Sequence, residues 1–420
     1  SMLGRTLAST SGSQRKFFRC VSYVPGSYMA PGLSRVHWKP VAEAVTEECE
    51  TQGTNRVFLV TSHALREKTG IIDGVRAKLG NKCVGVWSGL RPHTPREDVL
   101  AVADAVRAVG GADLLVSIGG GSVTDGTKAV GLCLEQGITD VKMFDDFTVK
   151  KSFFDPPHYE HTGKVRQVAV PTTLSGGEFT PISGVTDLSI PHKQGYMHPL
   201  LQPQVVVFDP AITVHTPEWL WLSTGVRSLD HCTEALCSIN STYFSDGYAK
   251  AGIELLVDGL KRVKANPDDL DARLKCQTGC WMGCATVSMM VHYGASHAIG
   301  HVLGGTADVP HGYTSCINLP YVLKWNEQTI PEKCAAVSKA YGRPDMPAHE
   351  VVDEVIRGLG MPRTLGDVDF PMEKLQQVSE LAMQDPWTGT NPRKIGGPAD
   401  VMEILTMAVE GKPNKANMVN

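Results

Sequence analysis

Five of the chain's fourteen histidines fall between positions 231 and 311: His231, His292, His297, His301 and His311. His297 and His301 stand four apart in HAIGH, so on a helix their rings leave the same face. His311 follows in Val309-Pro310-His311-Gly312, and His231 precedes in Leu229-Asp230-His231-Cys232-Thr233-Glu234. A lone helical histidine is usually structural. A pair four apart in a Gly- and Ala-rich helix, with a third at a Pro-His-Gly turn, points to a site that binds a metal or moves protons near neutral pH.

Two further motifs could hold a phosphate-bearing ligand. The run Asp113–Ile118 (DLLVSI) reads as a strand and leads into Gly119-Gly120-Gly121-Ser122, then a helical pattern carrying Asp125 and Lys128. Glycines admit close approach of a pyrophosphate, and the helix that follows aims its first N–H groups at it. The spacing is not GxGxxG, so a plain tight turn is the competing reading. The second motif is PTTLSGGEFT, Pro171 to Thr180, after the strand QVAV. Thr172 and Thr173 could hydrogen-bond a ribose or diphosphate; an ordinary hydroxyl-rich loop would look the same.

The elements that must position these groups divide in two. Short apolar runs at 56–61, 84–87, 113–118, 167–170 and 205–208 alternate with helical segments such as 96–109, the pattern of βαβ units and a mainly parallel sheet. From Pro217 onward the periodicity is helical, with helices expected over 219–239, 249–265, 270–290, 350–359, 371–383 and 399–409. The expected organisation is an extension over 1–20, an α/β dinucleotide-binding domain over 21–212 and a helical catalytic domain over 213–420, with a ligand cleft between the two domains. The stretch from Asp140 to Val165 fits neither periodicity and reads as a surface excursion near the substrate.

Composition excludes several classes. With 40 Lys+Arg against 44 Asp+Glu the net charge is -4, which argues against nucleic-acid or membrane-surface partners and leaves a small-molecule substrate. No run of eighteen apolar residues could span a bilayer. Eleven scattered cysteines without CxxC pairs read as reduced thiols, and Cys276, Cys280 and Cys284 as a packing stripe on one helix. A cytoplasmic protein is expected. The acid-free start up to Glu43, with Arg5, Arg15, Lys16 and Arg19, makes the mitochondrial matrix the alternative.

The ordered set GGGSxxDxxK, PTT…GGExT, HxxxH and PHG, with the late Asn391-Pro392-Arg393, resembles the group III, iron-containing alcohol dehydrogenase superfamily from about Arg56 to about Val409. The resemblance implies the dehydroquinate synthase-like fold, an α/β nucleotide domain followed by an all-α domain. It also implies NAD or NADP as cofactor and, by analogy with relatives that are often dimers, a homodimer. Metal-dependent members use an Asp four residues before a His, the first His of HxxxH and the His of PHG. The matching positions here are Arg227, His231, His297 and His311. A guanidinium cannot ligate a metal and stays charged. At about 4 Å it would repel a divalent ion by several kcal/mol even at an effective dielectric of about 20. Asp230 is a poor substitute, because it lies three residues on from Arg227 and directly beside His231, and helical neighbours project about 100° apart; the competing reading of Arg227 is a structural ion pair with Asp230 or Glu234.

No metal is therefore expected; if one were kept, His231, His297 and His311 would hold it. PTTLSGGE and HVLGGT resemble the maleylacetate reductase branch, whose enzymes reduce a carbon–carbon double bond conjugated to a ketone. By position, Ser62 replaces an acidic ribose ligand, which makes NADP acceptable, and Lys193 matches a lysine near the nicotinamide ribose. The expected activity is NAD(P)H-dependent hydride transfer to a small activated carbonyl or enone. Arg227 and the histidines would stabilise developing negative charge, and His301 would donate the proton. The alternatives are a metal-dependent alcohol dehydrogenase, or a non-redox enzyme or binding module on the same fold.

Overall fold

The computed structural model describes residues 34–149, 157–160, 162–189 and 192–411, together with the backbone of 27–29. Nine strands are present among them: β1 (Ser27–Met29), β2 (Arg35–Trp38), β3 (Val57–Thr61), β4 (Cys83–Ser88), β5 (Leu114–Gly119), β6 (Arg166–Pro171), β7 (Ile182–Asp187), β8 (His192–Met197) and β9 (Val205–Phe208). Seven of them form one sheet in the order β1-β2-β9-β6-β5-β3-β4, and only β1 runs antiparallel. Central strands β3, β5 and β9 are buried along their whole length, as apolar runs covered on both faces must be. One face packs on α1 (Val41–Gln52), α2 (His63–Lys68) and α3 (Ile71–Leu79), the other on α4 (Arg96–Ala108) and α5 (Gly121–Gln136).

The remaining helices follow the sheet. They are α6 (Pro210–Thr213), α7 (Glu218–Cys237), α8 (Tyr243–Ala265), α9 (Leu270–Ser288), α10 (Ala295–Ala307), α11 (His311–Asn326), α12 (Pro331–Ala340), α13 (Ala348–Gly358), α14 (Leu375–Ala382) and α15 (Pro398–Glu410). Helix α7 is the hub: from Trp221 to Cys237 every residue is buried. One continuous core joins α7–α9 to the sheet side through Val36, Leu174, Phe179, Val206 and Phe208. Trp281 of α9 stacks on Phe179 at 6.0 Å and meets Phe208 edge-on at 6.3 Å. The fold class expected from the sequence is the one observed.

Some boundaries differ for local reasons. Helix α8 starts at Tyr243 rather than 249, because Thr242 and Ser245 form a reciprocal capping box. The helix expected over 371–383 is a 3₁₀ turn, Met372–Lys374, followed by α14. Strand β2 and the β7–β8 hairpin were not expected; β2 has only four residues, and the hairpin's alternation is interrupted by Gly184 and Gly195. Of the 140–165 excursion, Val141–Asp146 is a 3₁₀ helix, while 150–156 and 161 lie outside the described residues, as do 1–26. All ten described cysteines are unpaired, and Cys276, Cys280 and Cys284 are buried, in keeping with a packing stripe.

Candidate active site

Strands β3, β5 and β6 lie side by side and end at one edge of the sheet, the carboxyl edge where ligands sit in open α/β folds. Ser62, Gly119 and Thr172 stand at or just past those ends. Ser62 N donates to Ile118 O at 3.0 Å and Thr172 N to Gly119 O at 2.9 Å. The three glycines are required by proximity. A Cβ on Gly119 would sit 2.8 Å from Val123 Cγ2, and one on Gly120 3.0 Å from Thr173 Cγ2. On Gly121 it would sit 3.2 Å from Ser175 Cβ. At Gly120 and Gly121 the chain passes so close to the 171–175 loop that a side chain would make Thr173 or Ser175 give way, and Gly121 and Ser122 then open the sixteen-residue α5. A glycine cradle leading into a helix N-terminus of this kind can receive a phosphate group.

Behind the cradle, Asp125 and Lys128 brace the hairpin. Asp125 Oδ2 accepts from Gly184 N at 3.2 Å, and the fully buried Lys128 Nζ donates to the carbonyls of Gly177 and Ile182. Ser62 caps α2 by accepting from Leu65 N at 3.3 Å, so no carboxylate occupies that strand end. The backbone of Lys193 pairs with Thr186 in the hairpin, and its side chain lies outside what is described.

The 171–180 loop joins this cradle to the histidines. Leu174 N donates to Thr224 Oγ1 at 3.1 Å, Ser228 Oγ to Leu174 O at 2.6 Å, and Thr216 Oγ1 to Thr172 O at 2.7 Å. Helix α7 therefore grips the loop beside Arg227, one residue from Ser228.

All five expected catalytic side chains form a connected cluster, the four imidazoles with Arg227 at their base. Rings His231 and His297 lie 4.9 Å apart, His297 and His301 6.3 Å, and His301 and His311 stack in parallel at 5.8 Å. Arg227 is buried. Its Nη1 donates to Ser315 Oγ at 3.1 Å, and Nη2 lies 3.4 Å from His301 Nε2. Asp230, one of the two ion-pair partners the sequence offered Arg227, comes within 3.8 Å of it, because three-residue spacing puts both on one face of α7. Its Oδ2 also accepts from Ser296 Oγ at 2.8 Å and Ser315 Oγ at 2.6 Å.

Sequence reading offered Glu234 only as an ion-pair partner for Arg227 and missed Asp385. Glu234, seven residues after Arg227 and so on the same α7 face, caps α10 through the amides of Gly294 (3.1 Å), Ser296 (2.9 Å) and His297 (3.3 Å). It also holds His297 Nδ1 at 2.7 Å. Asp385, which carried no sequence signal, reaches His301 Nδ1 with Oδ2 at 2.8 Å. Among the described residues, Asp230, Glu234 and His297 form the group whose possible ligand atoms lie within 4.8 Å of one another; His231 and His311 are not part of it. Nothing hydrogen-bonds the buried Nε2 of His297.

Burial and the guanidinium set the charges. His231 and His297 are pushed well below the usual imidazole value, first by burial and then by Arg227, so both are neutral. Burial raises Asp230 to about 6 against the pull of Arg227, and raises Glu234 to about 8 with help from Asp230. Burial would also raise Asp385, but His301 outweighs it and holds that carboxyl below its ordinary range.

Comparison with known proteins gives this geometry a family. The family model "Iron-containing alcohol dehydrogenase" matches residues 35–210, and the model "Fe-containing alcohol dehydrogenase family, C-terminal" matches 221–409. The chain belongs to the iron-containing alcohol dehydrogenase family, a family of NAD(P)-dependent oxidoreductases, and lies near its maleylacetate reductases. It is 33% identical to the dehydrogenase ALT3 of Alternaria alternata, over 81% of this chain and 95% of that protein. It is 30% identical to the maleylacetate reductase of Sphingobium indicum, over 88% and 93% respectively. The crystal structure of maleylacetate reductase from Agrobacterium tumefaciens superposes with a TM-score of 0.76 at 27% identity, covering 93% of this chain and 100% of that one. Among the described residues no helix is long and apolar enough to cross a membrane.

Proposed function

We propose that the protein reduces a small activated carbonyl or enone with NADH or NADPH, and does so without a bound metal. The observation that carries this reading is the buried Arg227 guanidinium, 3.4 Å from His301 Nε2, in the position where metal-dependent relatives place an acidic ligand.

The residues present fit a nicotinamide dinucleotide and do not fit an iron ion. Gly119, Gly120, Gly121, Ser122, Thr172 and Thr173 would hold the pyrophosphate and ribose where a Cβ would collide, and Ser62 leaves room for a 2′-phosphate. For a metal, only Asp230 Oδ1 and His297 Nε2 of the Asp230–Glu234–His297 group are left without a partner. Glu234 takes three backbone amides, Asp230 Oδ2 takes two serine hydroxyls, and a permanent cation lies 3.8 Å from Asp230.

When bound, the reduced nicotinamide supplies the hydride. As hydride adds to the electrophilic carbon, charge grows on the substrate oxygen. Arg227 is preorganised to stabilise that charge, and burial makes its contribution larger than in water. His301, half-exposed at the cleft, delivers a proton from Nε2 to the oxygen, or to the α-carbon of an enolate. One hydride and one proton thus complete the two-electron reduction. Neutral His297 offers the lone pair of Nε2 as an acceptor for a substrate hydroxyl.

Absorbance at the reduced-nicotinamide band, followed across 2-oxo acids, aldehydes and enone acids, tests the reading. Oxidation of NADH or NADPH by a carbonyl or enone is expected. A complete lack of redox change across the panel would favour a non-redox enzyme on this fold.

A further inference from the structure

We propose that Asp385 is the positioning residue for His301, holding the imidazole so that Nε2 is the nitrogen presented to the Arg227 side of the cleft. This rests on the reductase reading above for its consequence, though not for its geometry. Carboxylate Oδ2 lies 2.8 Å from Nδ1, and an ionised carboxylate only accepts, so Nδ1 carries the hydrogen. On the other side of the ring, Nη2 of Arg227 lies 3.4 Å from Nε2, and a guanidinium only donates. Both neighbours demand the same tautomer.

The ring is fixed from its faces as well. His311 stacks parallel to it at 5.8 Å, and His297 meets it edge-on at 6.3 Å. Asp385 is itself held, because its other oxygen, Oδ1, accepts from Trp387 N at 2.9 Å at the start of the 3₁₀ helix Pro386–Thr390.

The chemical consequence follows. When His301 takes up a proton, the added hydrogen can go only to Nε2, because Nδ1 is already occupied. The carboxylate then balances the imidazolium charge. Transfer from Nε2 to the substrate breaks one N–H bond, forms one O–H or C–H bond, and returns the ring to its resting tautomer. Without Asp385 the ring can turn over or protonate at the wrong nitrogen, and the proton donor is lost while hydride delivery stays in place.

The dual role of Asp385 separates positioning from folding. Asp385→Asn keeps an N-cap oxygen for Trp387 but removes the charge facing His301. The expected result is a kcat lowered about 100-fold, a KM for the reduced cofactor within about twofold, and a raised solvent deuterium effect on kcat. Asp385→Ala combined with His301→Ala should be no slower than His301→Ala alone, since the two act as one unit. A wild-type kcat in Asp385→Asn, or losses that multiply in the double variant, would overturn the assignment. A ¹⁵N-histidine spectrum reads the tautomer without turnover. His301 should show hydrogen on Nδ1 in the native chain and lose that preference in Asp385→Ala. Hydrogen on Nε2 of resting His301 would overturn the proposal even in an active enzyme. Absence of any reductase activity with the expected spectrum would instead sink only the functional reading.

Discussion

The glycine cradle at the sheet edge and the imidazole cluster on α7 and α10 lie on either side of one loop, 171–180, and they are built on opposite principles. The cradle is made of backbone. A side chain on its glycines would collide with Val123 or crowd Thr173 and Ser175. The cluster is made of buried charge: a guanidinium, two carboxyls raised by burial and two imidazoles forced neutral. A steric site tolerates little change in shape and much in chemistry; an electrostatic site does the reverse. The two should therefore fail differently when altered.

The largest effect is expected at Arg227. Arg227→Ala should lower kcat by about 1,000-fold, or about 4 kcal/mol of transition-state stabilisation, while the dissociation constant for NADH stays within about twofold. Stopped-flow turnover and cofactor fluorescence titration read the two separately. Unchanged turnover would remove Arg227 from the chemistry. Gly120→Ala should do the converse: a Cβ 3.0 Å from Thr173 Cγ2 pushes the loop outward and weakens cofactor binding about tenfold. If this variant lost turnover at saturating cofactor as fully as Arg227→Ala, the contrast between steric and electrostatic sites would break.

Glu234→Gln tests whether the acids of the cluster serve structure. It replaces one of the two carboxyl oxygens that accept from the α10 amides and meet His297 Nδ1 with an amide donor, and should cost about 2 kcal/mol in urea unfolding. A variant as stable as the parent would mean that the amides of 294–297 are satisfied in another way.

The smallest effect lies far from both regions. Burial alone would raise Glu48, but hydrogen bonds from His37, Gln52 and Arg35 overcome this and hold it at about 2. Its folded value is below its unfolded one, so the stabilisation is present above pH 4.5 and is lost as pH falls towards about 2. The advantage of the native chain over Glu48→Gln should be about 1–2 kcal/mol at pH 7 and vanish by about pH 2 in denaturation curves. A pH-independent difference would contradict the sign.

The same contrast explains what the sequence made legible. The cradle could be read because strand, glycines and helix are contiguous: DLLVSI-GGGS names its own geometry, and the 171–175 loop follows the next strand directly. The histidines and Arg227 could be read from spacing along single helices and from family resemblance. Glu234 was within reach, because it shares a helical face with Arg227 and Asp230, yet its task of capping α10 depends on a packing that spacing does not encode. Asp385 was beyond reach. It lies 84 residues from His301, in a 3₁₀ turn with no repeating pattern, and only the tertiary fold brings the two together. Asp230 was within reach as well, since its three-residue spacing from Arg227 puts the two on one helical face and made an ion pair the competing reading.

The central claim is that a fixed cation has replaced metal chemistry at this site, and metal content coupled to turnover tests it most directly. Protein purified without chelator is assayed for iron and zinc, then for activity after chelator dialysis and after reloading with Fe²⁺ or Zn²⁺. The account predicts well under about 0.1 equivalent of either metal per chain and a kcat unchanged by removal or addition. About one equivalent per chain, with activity lost on chelation and restored by the ion, would contradict it.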